Sequence, residues 1–300
     1  MAKALPGLAL TPPITAAPRR TFLGGALRRF VARRLVLLGV VLVGVLVCMG
    51  VFGRFLAPYS PIAQNFSEVL APPSARHWLG TDELGRDTWS RLLWGAAISL
   101  QVGVSAVLMA AIPGVIVGVN VGFRGGWVDN VVMRVLDGFM ALPSLILALT
   151  IVAVLGASLV NVILAIAVTS FPHYARIVRG QVLSVRESDY VLAIRSVGAP
   201  DPRIIFRHVV PNVISPVLVH ASLGVGVAIM AEAGLSFLGL GVQPPTPTWG
   251  SMIQVGFQYL ELAPWLAMAP GIVIFMAVLG FNLLGDGFRE ALDPHLRYQR

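Results

Sequence analysis

Arg186-Glu-Ser-Asp-Tyr-Val-Leu-Ala-Ile-Arg-Ser-Val-Gly-Ala-Pro-Asp-Pro-Arg-Ile-Ile-Phe-Arg-His-Val-Val-Pro-Asn212 is a polar interruption between two long apolar stretches. It reads as two short helices broken at Gly198-Ala199-Pro200-Asp201-Pro202. Ser184-Val-Arg-Glu187 has capping-box spacing and is expected to start the first helix. Tyr190, Ala193, Ile194 and Val197 then share one helical face, and Gly198 stands where a helix ends in a left-handed residue. Pro202 suits the first turn of the second helix, with Ile204, Ile205 and Val209 as its apolar side. Such a charged elbow can rest one face on its own spans and offer the other to the groove of a soluble partner. A surface loop with no partner is the alternative.

Composition sets the medium on either side of that elbow. With 56% apolar and 12% charged residues the chain has too little polar surface to cover a water-soluble globule of 300 residues. Its mean hydropathy is +0.81. Six apolar runs are long enough to cross a hydrocarbon core as helices: Leu35 to Phe55, Ile98 to Phe123, Val128 to Leu155, Leu159 to Val178, Val213 to Phe237 and Pro264 to Leu284. The fold class expected is an all-α integral membrane protein with six transmembrane helices. The single Cys48 excludes disulfides and thiolate metal sites.

Arginine placement orients the spans. Arg19, Arg20, Arg28, Arg29, Arg33 and Arg34 precede the first, and Arg179, Arg186, Arg195, Arg203 and Arg207 follow the fourth. The long connection after the first span balances Arg76, Arg86 and Arg91 with Glu68, Asp82, Glu83 and Asp87. The positive-inside bias puts both termini and the elbow in the cytoplasm. The net charge of +8 is spread in small groups of this kind rather than in a nucleic-acid stripe, so no nucleic-acid partner is expected. Arg19 to Arg34 alternates arginine pairs with Phe22, Leu23, Leu27 and Phe30, the pattern of a helix lying on the inner leaflet.

The elbow resembles the "EAA" loop of ABC-transporter permeases of the type I importer class, with its glycine at Gly198 and its closing proline at Pro211. More narrowly, Tyr190 to Gly198 followed by Arg203 to Asn212 resembles the second permease subunit of dipeptide/oligopeptide/nickel importers. His77-Trp-Leu-Gly-Thr-Asp-Glu-Leu-Gly-Arg-Asp-Thr-Trp-Ser-Arg91, Glu232-Ala-Gly-Leu-Ser-Phe-Leu-Gly-Leu-Gly241 with its continuation to Gly250, and Asn282 to Pro294 match further marks of that subfamily in the same order. One departure is plain: Leu192-Ala193-Ile194 stands where the family reads Glu-Ala-Ala, so an ionic contact from that glutamate would pass to Asp189 or Glu187.

The resemblance implies a type I ABC importer permease core over 97–289 with a coupling loop at 181–211. It is preceded by a cytoplasmic segment over 1–34, a first span over 35–56 and an extracytoplasmic segment over 57–96, and followed by a cytoplasmic tail over 290–300. It implies a multi-pass protein of the prokaryotic cytoplasmic (inner) membrane, carrying di- or oligopeptides, or alternatively nickel or another small solute. Its partners would be a second permease, two cytosolic ATPase subunits, an extracytoplasmic solute-binding protein and the bilayer. The coupling residues implied are Glu187, Asp189, Tyr190, Ala193, Arg195, Gly198, Ala199, Asp201, Arg203, His208 and Pro211. Asp82, Arg86, Asp87, Gln243 and Trp249 would serve binding-protein docking or an outer gate.

The chain has no catalytic signature of its own. A P-loop needs Gly-Lys-Ser/Thr, and Lys3 is the one lysine, so ATP and magnesium belong to partner subunits. Gly234-Leu235-Ser236 raises an intramembrane serine protease, but no histidine is placed to act as its base. A secondary transporter or channel is the other rival; it would work without ATPases, and no inverted repeat supports it. Within the spans, Arg134 and Asp137 are three apart and are expected to neutralise each other. Glu232 falls near the outer end of the fifth span and is expected to touch the Gly/Pro-rich loop that follows. His173 and His220 read as core histidines rather than metal ligands.

Overall fold

The computed structural model describes residues 34–292, so the amphipathic segment before Arg34 and nearly all of the tail lie outside the described residues. The regular elements, in chain order, are α1 (Arg34–Leu56), a 3-10 turn (Phe66–Glu68), α2 (Thr88–Arg124), α3 (Gly126–Met140), α4 (Ser144–Leu155), α5 (Leu159–Arg186), α6 (Asp189–Ser196), α7 (Asp201–Ile204), a π turn (Ile205–Val209), α8 (Val210–Phe237), α9 (Trp249–Gln258) and α10 (Trp265–Leu292). Among the described residues no strand forms; Thr81 and Asp87 make an isolated bridge. Five helical rods among the described residues are long and apolar enough to cross a bilayer, and α3 with α4 makes a sixth if the bent pair counts as one.

That pair corrects the expectation of one straight span from Val128 to Leu155. The helix stops at Met140 and resumes at Ser144 at an angle of 86°. The cause is Pro143, which disfavours helical backbone at the residue before it and has no N–H to continue the ladder. Two further corrections concern the elbow. Ser184 and Glu187 do not cap a new helix, because α5 runs through Arg186 and α6 starts at Asp189. The Ser188 hydroxyl, turned back to the Val185 carbonyl at 2.6 Å, closes the tight corner between them. The second short helix is not separate either: α7, the π turn and α8 form one rod from Asp201 to Phe237. The widened turn falls just before Pro211, which has no N–H to offer a carbonyl one turn back. The sequence pattern also gave no warning of α9, whose start is a reciprocal cap between Thr248 and Ser251.

At the centre of the bundle, α2 lies along α5. Gly114, Gly118 and Gly122 recur every fourth residue and turn one bare stripe of backbone toward Tyr174, Ala175, Val178 and Val182. A Cβ on Gly118 would stand 2.5 Å from the Ala175 carbonyl oxygen and 2.7 Å from Val178 Cβ, and one on Gly114 would stand 2.6 Å from Tyr174 Cβ. In a bilayer the lipid tails are as apolar as leucine, so helices associate through close van der Waals contact of this kind rather than by escaping solvent. Val102, Ala106, Val162, Ile166 and Ile229, all nearly inaccessible, continue the core where α8 closes on the same pair. On the outside, α1 packs Gly39, Leu46 and Gly53 inward and leaves Leu35, Val41, Val51 and Phe52 exposed, an apolar face suited to lipid.

Gly118→Val is therefore expected to cost about 1–3 kcal/mol or more by overpacking, because a carbonyl on a neighbouring helix cannot yield as a side-chain tip does. Gly271→Val, at a position where an added Cβ meets nothing within 4 Å, should be close to neutral. Thermal unfolding of the two purified variants against the wild type measures the difference; equal melting temperatures would contradict the packing described.

Candidate functional site

At one end of the bundle the elbow is built from three anchored pieces. The first is α6, which buries Val191 completely and Ile194 partly, while Tyr190, Ala193 and Val197 of the expected apolar face are exposed. The face is rotated because the helix begins after Ser188, which turns Val191 toward Val182, Ile204 and Val209. The second is the turn, where Gly198 sits at φ +83° and its N–H reaches the Arg195 carbonyl at 3.0 Å. The third is the start of the long rod, with Ile204 and Val209 fully buried and Ile205 half-buried.

Charged and aromatic groups tie these pieces to the bundle. Arg186 donates to the carbonyls of Gly122 at 3.1 Å and Phe123 at 3.2 Å, filling acceptors left open at the end of α2. Arg195 lies 5.2 Å over the Phe123 ring and 3.8 Å from Asp201 Oδ1. Asn212 donates to the Tyr190 hydroxyl at 3.2 Å and to the His208 carbonyl at 2.6 Å, and the Tyr190 and His208 rings meet edge-on. Glu187, Asp189, Asp201, Arg203 and Pro211 are exposed around this frame, and Ala199 is half-buried. Leu192, Val197 and Phe206 also project from it, the last two 84% and 75% exposed.

At the other end, residues 57–91 fold into a cap over the start of α2. The Asp82 carboxylate accepts from the backbone N–H of Leu84 and Arg86 at 3.0 and 2.9 Å, from Arg86 Nε at 2.7 Å, and faces Arg91 Nε at 3.3 Å. Asp87 caps α2 by accepting from Ser90 N at 2.7 Å, and its other oxygen meets His77 Nδ1 at 2.8 Å. Arg91 also reaches the Pro61 carbonyl at 3.0 Å. Asp82, Arg86 and Asp87 are all buried, so in this conformation their visible work is to hold the cap together. Trp249 is buried too: its indole N–H donates to the Leu92 carbonyl at 3.1 Å and seats α9 on α2. Gln243 is exposed and folds back onto the Gly239 and Gly241 carbonyls. Between the cap and this loop lies a cavity of about 300 Å³ whose walls include Glu83, Arg86, Ser236, Gln243 and Gln254.

Inside the bundle, Glu232 is 1% exposed, accepts from the Ser236 hydroxyl at 2.7 Å and has Thr248, the cap of α9, as its other polar neighbour. The expected Arg134–Asp137 pair does not form. Asp137 pairs with Arg176 instead, because α5 runs beside α3 and brings a guanidinium across from the neighbouring helix. A second bridge between the same helices joins Arg179 to both oxygens of Asp129, at 2.5 and 2.6 Å.

This architecture is shared. Residues 114–298 match the family described as binding-protein-dependent transport system inner membrane component, and residues 21–73 match the N-terminal transmembrane domain of oligopeptide transport permease C. The chain is a member of that inner membrane component family. It is 42% identical over 272 residues to the dipeptide transport system permease protein of Alkalihalophilus pseudofirmus, covering 91% of this chain and 90% of that protein. It is 45% identical to the di/tripeptide transport system permease protein of Pseudomonas aeruginosa, covering 86% and 88%. A glutathione transport system permease protein of Pectobacterium atrosepticum is 41% identical, covering 90% of each.

As an inner membrane component, the chain carries several contacts that its sequence did not announce. His77 and Arg91, the two ends of a family mark, and Ser99 organise the cap and α9 through contacts that no residue spacing signals. Asp129 and Arg179 meet across 50 positions of sequence. The glycine stripe, absent from the sequence-based expectations, does carry a local signal: its four-residue repeat stands in Gly114-Val-Ile-Val-Gly118-Val-Asn-Val-Gly122.

The cap also has a measurable pH response. Burial, reinforced by the neighbouring Asp82 charge, holds the Glu83 carboxyl above its ordinary value of 4.5. A carboxyl raised in the folded state binds its proton more tightly there than in the unfolded chain, so stability falls as pH rises above 4.5 through the folded value. Glu83→Gln should remove that fall: the variant's cap exchanges amide hydrogens more slowly than wild type near neutral pH and equally fast at acid pH, where the wild-type Glu83 carboxyl is itself protonated and neutral. Hydrogen exchange over residues 57–91 across the acid-to-neutral range checks it, and a variant less protected than wild type at neutral pH would overturn it.

Proposed function

We propose that this inner membrane component is a permease subunit of an ATP-driven importer, forming with a second permease the pathway for small peptides delivered by a solute-binding protein. The similarity to di/tripeptide and dipeptide permeases over most of the chain carries the substrate class. The elbow carries the energy coupling. Its orientation follows the arginine bias, which places it in the cytosol with the cap and the cavity on the opposite side.

In this reading two cytosolic ATPases, which bind the ATP and magnesium, each press on an elbow, one from this chain and one from its partner permease. Leu192, Val197 and Phe206 supply an apolar contact surface to them. Leu192, at the family's usual glutamate position, replaces an ionic contact with a hydrophobic one, leaving Asp189 and Glu187 as the acidic groups nearby. The push travels by two routes. Arg186 and Arg195 hold α6 to the end of α2, and Tyr190, Asn212 and the buried Ile204 hold it to the Asp201–Phe237 rod. On the far side the cap and the Gln243 to Trp249 loop meet the loaded binding protein, with Asp82, Arg86 and Asp87 fixing the shape of that surface from beneath. Rigid loops lose little entropy on docking. Reciprocity then requires the docked binding protein to favour closure of the ATPases.

The test is reconstitution of the complete complex in lipid vesicles, where binding protein loaded with a dipeptide is expected to stimulate ATP hydrolysis and drive uptake. Gly198→Pro removes a backbone donor and forbids the positive φ. It should leave the subunits assembled and abolish the stimulation, and stimulation at the wild-type level would contradict the elbow's role. Uptake by this chain with no ATPase present would overturn the importer reading itself.

A further inference from the structure

The two ion pairs between α3 and α5 are built differently. Asp129 is packed away, with its side chain 9% exposed, and Arg179, 30% exposed, reaches both of its oxygens, a contact that serves as a clasp. Asp137 and Arg176 are open, with side chains 54% and 49% exposed. Arg176 stands ten residues from the elbow end of α5, roughly 15 Å along the helix. A charged pair at that depth is costly against lipid tails and calls for water or protein in front of it.

The surrounding residues show which medium faces it. On α3, Asn130, Arg134 and Asp137 are exposed at successive turns and share one face. Val131, Val135 and Phe139, 50%, 56% and 43% exposed, occupy another face at the same height. If both faces met the same headgroup layer, polar and apolar side chains would mix; their separation around one short helix means that the two faces meet different media. On α5 the contrast runs lengthwise. Val160 and Val168 are its exposed large apolar residues, both in the first half, and from there to the elbow the exposed positions are His173, Arg176, Gly180, Gln181 and Ser184. The polar faces of α3 and α5 adjoin, because Asp137 and Arg176 bridge them.

We infer that this shared polar face is a wall of the solute pathway, open toward the elbow side, and that the Asp137–Arg176 pair is a transient binding site for the charged ends of a peptide. The inference rests on the permease reading. A peptide with free termini carries an ammonium and a carboxylate, the same two charges that the pair already satisfies in each other. Exchange of partners, with Asp137 taking the ammonium and Arg176 the carboxylate, therefore leaves no charge unmatched once it is complete. Asp129 and Arg179, clasped one helical turn further toward the elbow on α5, keep the helices together while the open pair separates.

Single cysteines introduced into a Cys48→Ala background test the wall in the assembled complex. Cysteines at Asn130, His173 and Gly180 should react with a membrane-impermeant, negatively charged methanethiosulfonate, and cysteines at Val131 and Val135 should not. Millimolar L-alanyl-L-alanine should slow labelling at His173. Failure of Asn130, His173 and Gly180 alike to react would show the face covered by the partner permease and end the inference, as would labelling at His173 that the dipeptide leaves unchanged. In vesicles, Asp137→Asn and Arg176→Gln complexes should carry about tenfold fewer dipeptides per ATP hydrolysed, the loss expected from weakening one charged contact. If either variant instead loses its partner subunits, the pair is structural and the inference fails. If the wild-type complex hydrolyses ATP without uptake, the importer reading falls first, a result distinguishable from any of these.

Discussion

The bundle depends on two backbones coming closer than side chains normally allow. Along α2, hydrogen atoms at Gly114, Gly118 and Gly122 face α5, and a single added methyl group would meet a carbonyl or a Cβ of the neighbour. Everything placed at the elbow end inherits its position from this contact. Arg186 finds the carbonyls of Gly122 and Phe123 because the two helices end side by side, and Arg195 finds the Phe123 ring for the same reason. A chain with larger residues on that stripe would separate the helices and lose the frame on which α6 rests.

Charge is distributed according to what each region must do. In the cap, two carboxylates are saturated: Asp82 takes two backbone donors and two guanidinium groups, and Asp87 takes a helix start and an imidazole. Buried ion pairs of this kind add little net stability over apolar packing, but removing one partner is strongly destabilising, so they fix shape. Asp129, buried and held through both oxygens by the part-exposed Arg179, is tied down in a similar way. Asp137 with Arg176 is not, since its exposure leaves both groups able to change partners.

Much of the architecture was legible because a bilayer restricts what a chain can do. The apolar runs gave the spans, the prolines at 200, 202 and 211 with Gly198 gave the elbow, and the marks near His77 and Glu232 gave the family resemblance. What escaped was decided by contacts between distant segments. Pro143 alone does not say whether a span will kink slightly or turn by 86°. Arg134 is nearer to Asp137 in sequence than Arg176 is, yet the neighbouring helix supplies the partner. The elbow's buried face was misassigned because Ser184 and Glu187 carry a capping signature that the α5 helix simply runs through. The coupling, docking and gating roles of individual residues are a different kind of statement, since they depend on partners that no residue spacing specifies.

The π turn before Pro211 has a consequence for the molecule as a whole. By absorbing the proline without a break, it leaves Asp201 to Phe237 as one rod of 37 residues, about 55 Å from end to end. Its first residues belong to the elbow, and its last turns lie under the loop that holds Trp249, where Glu232 meets Ser236. A stiff beam pivoting in the middle of a membrane swings its two tips in opposite directions. In the transport cycle proposed above, motion that spreads the structure on one side would therefore draw it together on the other, and a see-saw of this kind would keep both doors from standing open at once.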